Sequence, residues 1–210
     1  MFGADGGELP SSLNAGRVGI RLIRRRDARV LEALLRDNRN WLTPWEATHP
    51  GGVGPVPGTV SLKPSIKRML EQHRDGRGVP FVITYDGAVV GQLSASDISR
   101  GALWSASIGY WIDGGHAGRN ITPTAVALAV DYLFATVGLH RVEMCIRPEN
   151  AASLRIPEKL GFRYEGRRLR YIHIDGAWRD HDSFAVTREE VHGSMLSRLD
   201  ASASGRTNGI

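Results

Sequence analysis

Apolar and polar residues alternate over 18–23 as in a half-buried strand. Behind Asp27, placed to cap a helix start, Val30, Leu31, Leu34 and Leu35 recur at helical spacing. A second helix is expected after Pro64, with Ile66, Met69 and Leu70 on its buried face. The apolar runs PheValIleThrTyr and AlaValValGlyGln flank Asp86 and Gly87, a strong hairpin signal. A strand at about 106–112 leads through a glycine-bearing loop into a helix, on which Val126, Ala129, Val130 and Leu133 repeat every three or four residues. A short strand, Arg141–Ile146, precedes a helix opened by Asn150 and stopped by Gly161. Pro157 lies inside that helix, where it removes the bond to the Ser153 carbonyl and should kink or loosen the segment. A long second hairpin turns at Asp175 and Gly176, and Thr187 with Glu190 forms a capping-box pattern for a last short helix. The run 51–58, rich in glycine and proline, reads as a loop inside one domain. Flexible tails are expected at 1–16 and 196–210, around a single domain over 17–195.

Composition narrows the class. With 41% hydrophobic and 23% charged residues, the 210-residue chain has material for a core and too little charge excess for disorder. No apolar run approaches the roughly 20 residues of a membrane-spanning helix, and the first residues lack the basic head and apolar stretch of a secretory signal, so a cytoplasmic location is expected. Cys145 stands alone and the seven histidines show no HxxxH spacing, so neither a disulfide nor a metal is expected. The net charge of +5 suits an anionic partner such as a polyphosphate cofactor or RNA. Arg24 to Arg26 and Arg167, Arg168 and Arg170 read as solvated faces, or as contacts to RNA or a ribosome.

The loop of Gly118, Arg119, Asn120, Ile121 and Thr122 feeds a helix, so successive backbone N–H groups point outward near the positive end of the helix dipole. That arrangement binds phosphate, although an ordinary strand-to-helix loop uses the same residues for turning. Pro123 fits the first helical position, where its missing N–H is no loss, and Arg119 adds a mobile positive charge.

Three stretches now stand in order: IleGlyTyrTrpIleAsp at 108–113, the loop at 117–124, and the run from AsnAlaAlaSer to GluLysLeuGlyPhe at 150–162. Their order and spacing resemble the GNAT superfamily of acetyl-CoA-dependent N-acetyltransferases, and within it the Rim-type enzymes that acetylate ribosomal-protein N-termini. TrpLeuThrProTrpGlu at 41–46 and GlyAlaTrpArgAspHisAsp at 176–182 are similar to that branch as well, and the resemblance spans about 18–191. It implies an α/β fold: one domain with a mixed, strongly twisted central sheet, splayed at the acetyl-CoA site, and helices on both faces. It also implies acetyl-CoA as co-substrate, no metal, and direct transfer in a ternary complex to a primary amine, foremost the α-amine of a ribosomal protein's N-terminus.

Residue by residue, the resemblance implies that backbone groups of Trp111 and Ile112 hold the pantetheine arm. Gly118 to Thr122 would hold the pyrophosphate, Asn150 the arm, and Arg155 or Lys159 the nucleotide end. The loop's usual signature side chains are replaced by Ala117, Asn120 and Thr122, but the anion is held chiefly by main-chain N–H groups, and Asn tolerates left-handed backbone angles. Positions where some relatives carry a catalytic glutamate and tyrosine fall on Cys145 and Pro157, neither of which can do those jobs. The Rim-type branch resembles an arrangement with serine as the acid, which places Ser153 at the leaving thiolate, next to the cofactor. For the base, one relative's glutamate matches Ile172. Glu143 is the candidate here, with Asp97, His173 and Asp175 as alternatives. Trp41, Trp45, Tyr171 and Trp178 would wall the acceptor tunnel or belong to the core. Two rivals stay open: a small-molecule amine acetyltransferase, and a non-catalytic binding module suggested by the altered loop.

Overall fold

The computed structural model describes residues 11–52, 54 and 56–204. Eight strands form one sheet: β1 (Leu13–Ala15), β2 (Val18–Leu22), β3 (Val79–Tyr85), β4 (Ala88–Ser99), β5 (Ser105–Ile112), β6 (Arg141–Ile146), β7 (Arg163–Ile174) and β8 (Ala177–Thr187), in the order β1-β2-β3-β4-β5-β6-β8-β7. Neighbours are antiparallel except β5 and β6, which are parallel. The antiparallel pairing of consecutive strands follows from short turns. Asp86 and Gly87 (φ 49° and 80°), and Asp175 and Gly176 (φ 48° and 75°), make two-residue turns with both angles positive, the geometry whose twist matches flanking strands.

The helices are α1 (Ala28–Asp37), α2 (Arg39–Leu42), α3 (Lys63–Arg74), α4 (Ile121–Ala135), α5 (Ala151–Leu160) and α6 (Met195–Ser204). They cover both faces. On one, Leu31 of α1 and Ile66 of α3 pack with Val82 of β3. On the other, Phe81 and Ile83 of the same strand meet the larger core beneath α4. One residue's shift along β3 therefore changes the layer it serves, as the period of two requires. α4 is buried on nearly every side, because α5 and α6 cover the flank that the sheet leaves open.

Several boundaries differ from expectation. Asp27 makes no side-chain bond at the start of α1. Its carboxylate accepts from the Arg24 N–H at 2.7 Å and from both Nη atoms of Arg21 at 2.8 Å, which closes a 3₁₀ turn ahead of the helix. α4 begins two residues before Pro123, so the proline occupies the third helical position. It costs nothing there, because the first four helical N–H groups have no intrahelical acceptor. α5 continues through Pro157. Parts of the expected tails are structured: Leu13–Ala15 pairs with β2, and Met195–Ser204 is helical. α6 was invisible to local pattern because its start is capped by a distant residue. Asp131 of α4 accepts the Met195 and Leu196 N–H groups at 2.6 and 3.2 Å. The rest of the expected tails at 1–10 and 205–210 lies outside the described residues.

Candidate active site

The site begins where the sheet parts. β5 and β6 pair only at Ser105 with Arg141, Ala106 with Val142 and Ser107 with Glu143, and separate beyond. Each keeps its outer partner through the gap, β5 with β4 to Ile112 and β6 with β8 to Ile146, so only the inner pairing is lost. Asp113 N–H donates to the Val90 carbonyl at 2.8 Å. Because backbone groups alternate in direction along a strand, Trp111 belongs to that same ladder with β4, and the N–H and carbonyl groups of Tyr110 and Ile112 face the gap. The Ile112 carbonyl is already taken by Trp41 Nε1 at 3.2 Å. Of the two residues expected to offer backbone groups to an arm, Ile112 offers its N–H, whereas Trp111 lines the cleft with its backbone committed to β4.

A cleft of about 340 Å³ opens on one side of the gap, walled by Trp41, Trp45, Ile112, Asn120, Ser153 and Lys159, among others. Its floor is the loop into α4. Gly118 (φ 77°) and Asn120 (φ 58°) both adopt left-handed backbone, open to glycine and tolerated by asparagine. No hydrogen bond within the described residues takes up the N–H groups of Gly118, Arg119, Asn120, Ile121 or Thr122. Five donors thus gather at the positive end of a 15-residue helix. Lys159 Nζ reaches across from α5 to Asn120 Oδ1 at 2.5 Å, adding a cation. Gly118, Ile121, Thr122 and Asn150 all line the cleft, while the Arg119 side chain does not. The loop's entry is fixed by Asn38, which donates to Asp113 at 2.7 Å and accepts the Gly114 N–H at 2.8 Å. Burial pushes the Asp113 carboxyl up, but His116 at 2.6 Å and Asn38 outweigh it and hold it below the usual range.

A second pocket of about 180 Å³ adjoins the cleft, lined by Ile108, Cys145, Arg147, Ile172, Ile174 and His181, among others. The two share Trp45, Tyr110, Asn150 and Ser153, which therefore stand at their junction. Asn150 Oδ1 accepts the Ser153 N–H at 3.1 Å and so fixes the first turn of α5. The Tyr110 hydroxyl is fully buried there, without a hydrogen-bond partner. Burial drives its phenol well above the ordinary range, with Ser153 as the neighbour that eases it slightly. Arg147 braces Trp45 from below, its guanidinium 5.4 Å from the ring centroid and bonded to the Pro44 carbonyl at 2.7 Å.

Other expected residues fall elsewhere. Glu143 lines neither cavity, and its two oxygens are occupied by Arg141 at 2.8 Å and Arg168 at 2.9 Å. Asp97 sits in an irregular turn of β4, His173 bonds Thr48 at 2.8 Å, and Asp175 forms the hairpin tip; none lines either cavity. Trp41 and Trp45 are wall residues. Tyr171 and Trp178 are exposed and line neither cavity, Tyr171 touching two residues of the smaller pocket, the His181 ring at 5.8 Å between centroids and the Cys145 thiol. Cys145 is half-buried, and burial pushes its thiol up, with Arg168 acting against that. Sequence reasoning missed the hydroxyl of Tyr110 and the ring of His181. The one signal for His181 was its place in the matched stretch 176–182. Among the described residues no group of His, Cys, Asp and Glu could hold a metal, and no helix is long and apolar enough to cross a membrane.

Residues 17–163 match the family model described as an acetyltransferase (GNAT) domain. The chain is similar to Mycobacterium smegmatis RimJ, solved in complex with CoA-disulfide, at 38% identity and a TM-score of 0.80, over 89% of each chain. It is 29% identical to the Escherichia coli [ribosomal protein uS5]-alanine N-acetyltransferase over 194 residues, which is 89% of this chain and 96% of that protein. With Bacillus subtilis YjcK it shares 43% identity over 101 residues, 48% of this chain and 56% of that protein. A parted sheet, donors clustered at a helix start and a family match across most of the fold lead to one assignment: the chain belongs to the GNAT acetyltransferase family.

Proposed function

We propose that this protein transfers the acetyl group of acetyl-CoA directly to the α-amine of a protein N-terminus, of a ribosomal protein foremost, in a ternary complex. The observation that carries this is the meeting of two cavities at Tyr110 and Ser153. One is a cleft with anion-binding donors along it, the other a smaller pocket lined by β6, β7 and β8. Such a layout lets two substrates held in separate cavities meet at one point, which makes the reaction effectively unimolecular once both are bound.

The residues fit the cofactor. The free N–H groups of Gly118 to Thr122, with Lys159 beside them, would hold a pyrophosphate, and the Ile112 N–H and Asn150 would hold the arm. When bound, acetyl-CoA supplies an activated acyl group whose leaving atom is a thiol sulfur. Ser153 stands at the junction, where its hydroxyl can donate to that sulfur. An α-amine titrates at about 7.7 to 8.0 and a thiol at about 8.5, so neither proton transfer demands a strong acid or base.

The pocket side favours a single amine over a polyamine. No Asp or Glu lines it and Arg147 does, so a chain of positive charges finds no counter-ion there. Contact with a ribosome belongs to this reading through the exposed Arg24 to Arg26. Arg167 and Arg168 of the second basic run are paired with Asp182 and Glu143.

Calorimetry with acetyl-CoA, with ATP as control, tests the cofactor half: micromolar affinity, about 8 kcal/mol, is expected. No acetyl-CoA binding would overturn the reading in favour of a non-catalytic module. Ser153→Ala is expected to lower turnover by about 10²-fold with acetyl-CoA affinity nearly unchanged, and unchanged turnover would remove Ser153 from the mechanism.

A further inference from the structure

His181 is 3% exposed and lies on β8, paired with Arg168 of β7 and one residue past the last β6 pair, Ile146 with Asp182, and it lines the smaller pocket together with Tyr110 and Ser153. Its Nδ1 has one partner, the Arg179 carbonyl at 3.1 Å. A carbonyl only accepts, so the proton sits on Nδ1 and Nε2 carries the lone pair. Among the described residues nothing donates to Nε2. The edge of Tyr171, 5.8 Å away, packs against the ring from β7 and fixes its orientation. A buried imidazole with one nitrogen pinned as donor and the other turned to a substrate-sized pocket is arranged as a proton acceptor.

We propose that His181 is the general base of the transfer, receiving the acceptor amine's proton at Nε2, directly or through one water. This rests on the reading above. Once the amine occupies the smaller pocket, a bond forms between its nitrogen and the acyl carbon, and the proton on that nitrogen passes to His181 Nε2 and on to solvent. The carbon–sulfur bond breaks with its electron pair on sulfur. Ser153 gives the sulfur its proton and recovers one from solvent.

The surroundings keep the ring neutral for this work. Burial pushes its pKa below the ordinary value. The Arg179 carbonyl opposes that, Arg147 adds to it, and Glu149 and Asp180 oppose it more weakly. Cys145, Tyr110 and Ser153 share the pocket, and none of them brings a formal charge against the ring while protonated. Arg147, already braced against Trp45, also discourages a cationic imidazolium, so the lone pair stays available across the neutral range. Glu143 cannot serve in its place, because both its oxygens are held by arginines outside the pocket.

His181→Asn keeps a donor for the Arg179 carbonyl and removes the accepting nitrogen, and His181→Gln is the companion variant. With acetyl-CoA and an alanine-initiated peptide at saturation, the wild type is expected to lose kcat on the acid side, with an apparent pKa below 6.5. Both variants should lower kcat by about 10²-fold or more and lose that limb, with acetyl-CoA affinity within about twofold of wild type. In the free protein, the ¹⁵N shifts of the His181 ring should show the neutral Nδ1–H tautomer at pH 7. An Nε2–H tautomer, a ring cationic at pH 7, or variants that keep both rate and limb would overturn the assignment. Failure of the wild type to bind acetyl-CoA, with the tautomer as expected, would overturn the transferase reading itself and the base role with it.

Discussion

One atom at the junction, the Tyr110 hydroxyl, is buried without a hydrogen-bond partner among the described residues, which buried polar atoms rarely tolerate. An orphaned hydroxyl costs about 1–3 kcal/mol relative to a paired one. Tyr110→Phe should therefore raise the unfolding free energy of the free protein by about 1 kcal/mol in urea titrations. A destabilised Phe variant would mean that the hydroxyl has a partner after all. At this scale the sequence was legible where a residue acts on its own neighbourhood: Asn150 caps the helix that carries Ser153, and Asn120 takes the left-handed backbone its type allows. Glu143 and His181 could not be read, because their roles depend on partners far along the chain. Arg168 lies 25 residues from Glu143 and closes it off, and the Ile108–Tyr110 stretch that lines the pocket with His181 arrives from another strand.

Among the elements, the parting of β5 from β6 positions everything else, and it follows from the loyalty of each strand to its antiparallel neighbour. The strands themselves were readable from period and turn residues: Arg141–Ile146 and the hairpins at Asp86 and Asp175 fall where expected. The gap between them was not, because pairing across the 28-residue crossover from Ile112 to Arg141 leaves no local mark. α6 escaped notice for the same reason, its cap being Asp131 of another helix. The Asp27–Arg21 pair joins β2 to α1, with side chains 6% and 16% exposed. Burial raises the Asp27 carboxyl, but Arg21 and the Arg24 N–H outweigh it, leaving it below its ordinary 3.8. A lowered carboxylate stabilises the fold fully above about pH 3.8 and loses that contribution as pH falls through its lower folded value. Asp27→Asn should cost about 3 kcal/mol at pH 7, by the penalty for an uncompensated buried partner. The gap to wild type should narrow below pH 4. An equal gap at pH 7 and pH 3 would show that the pair contributes no pH-dependent stability.

For the molecule as a whole, charge and shape agree with chemistry on one face. The cleft gathers N–H donors and a lysine for an anionic cofactor, while the smaller pocket carries Arg147 and His181 and no carboxylate. The family could be read from the order of three short stretches, although none of the loop's usual side chains is present. The fold keeps the backbone donors those side chains accompany elsewhere. What separates an N-terminal acetyltransferase from other members of the family is the acceptor, and one experiment addresses it directly. The protein would be incubated with acetyl-CoA and a peptide that begins with alanine and contains an internal lysine, beside spermidine in a parallel reaction, and the products located by tandem mass spectrometry. The account predicts acetyl on the alanine α-amine, with lysine and spermidine unmodified. Acetyl on spermidine or on the lysine side chain, with the α-amine left free, would contradict it.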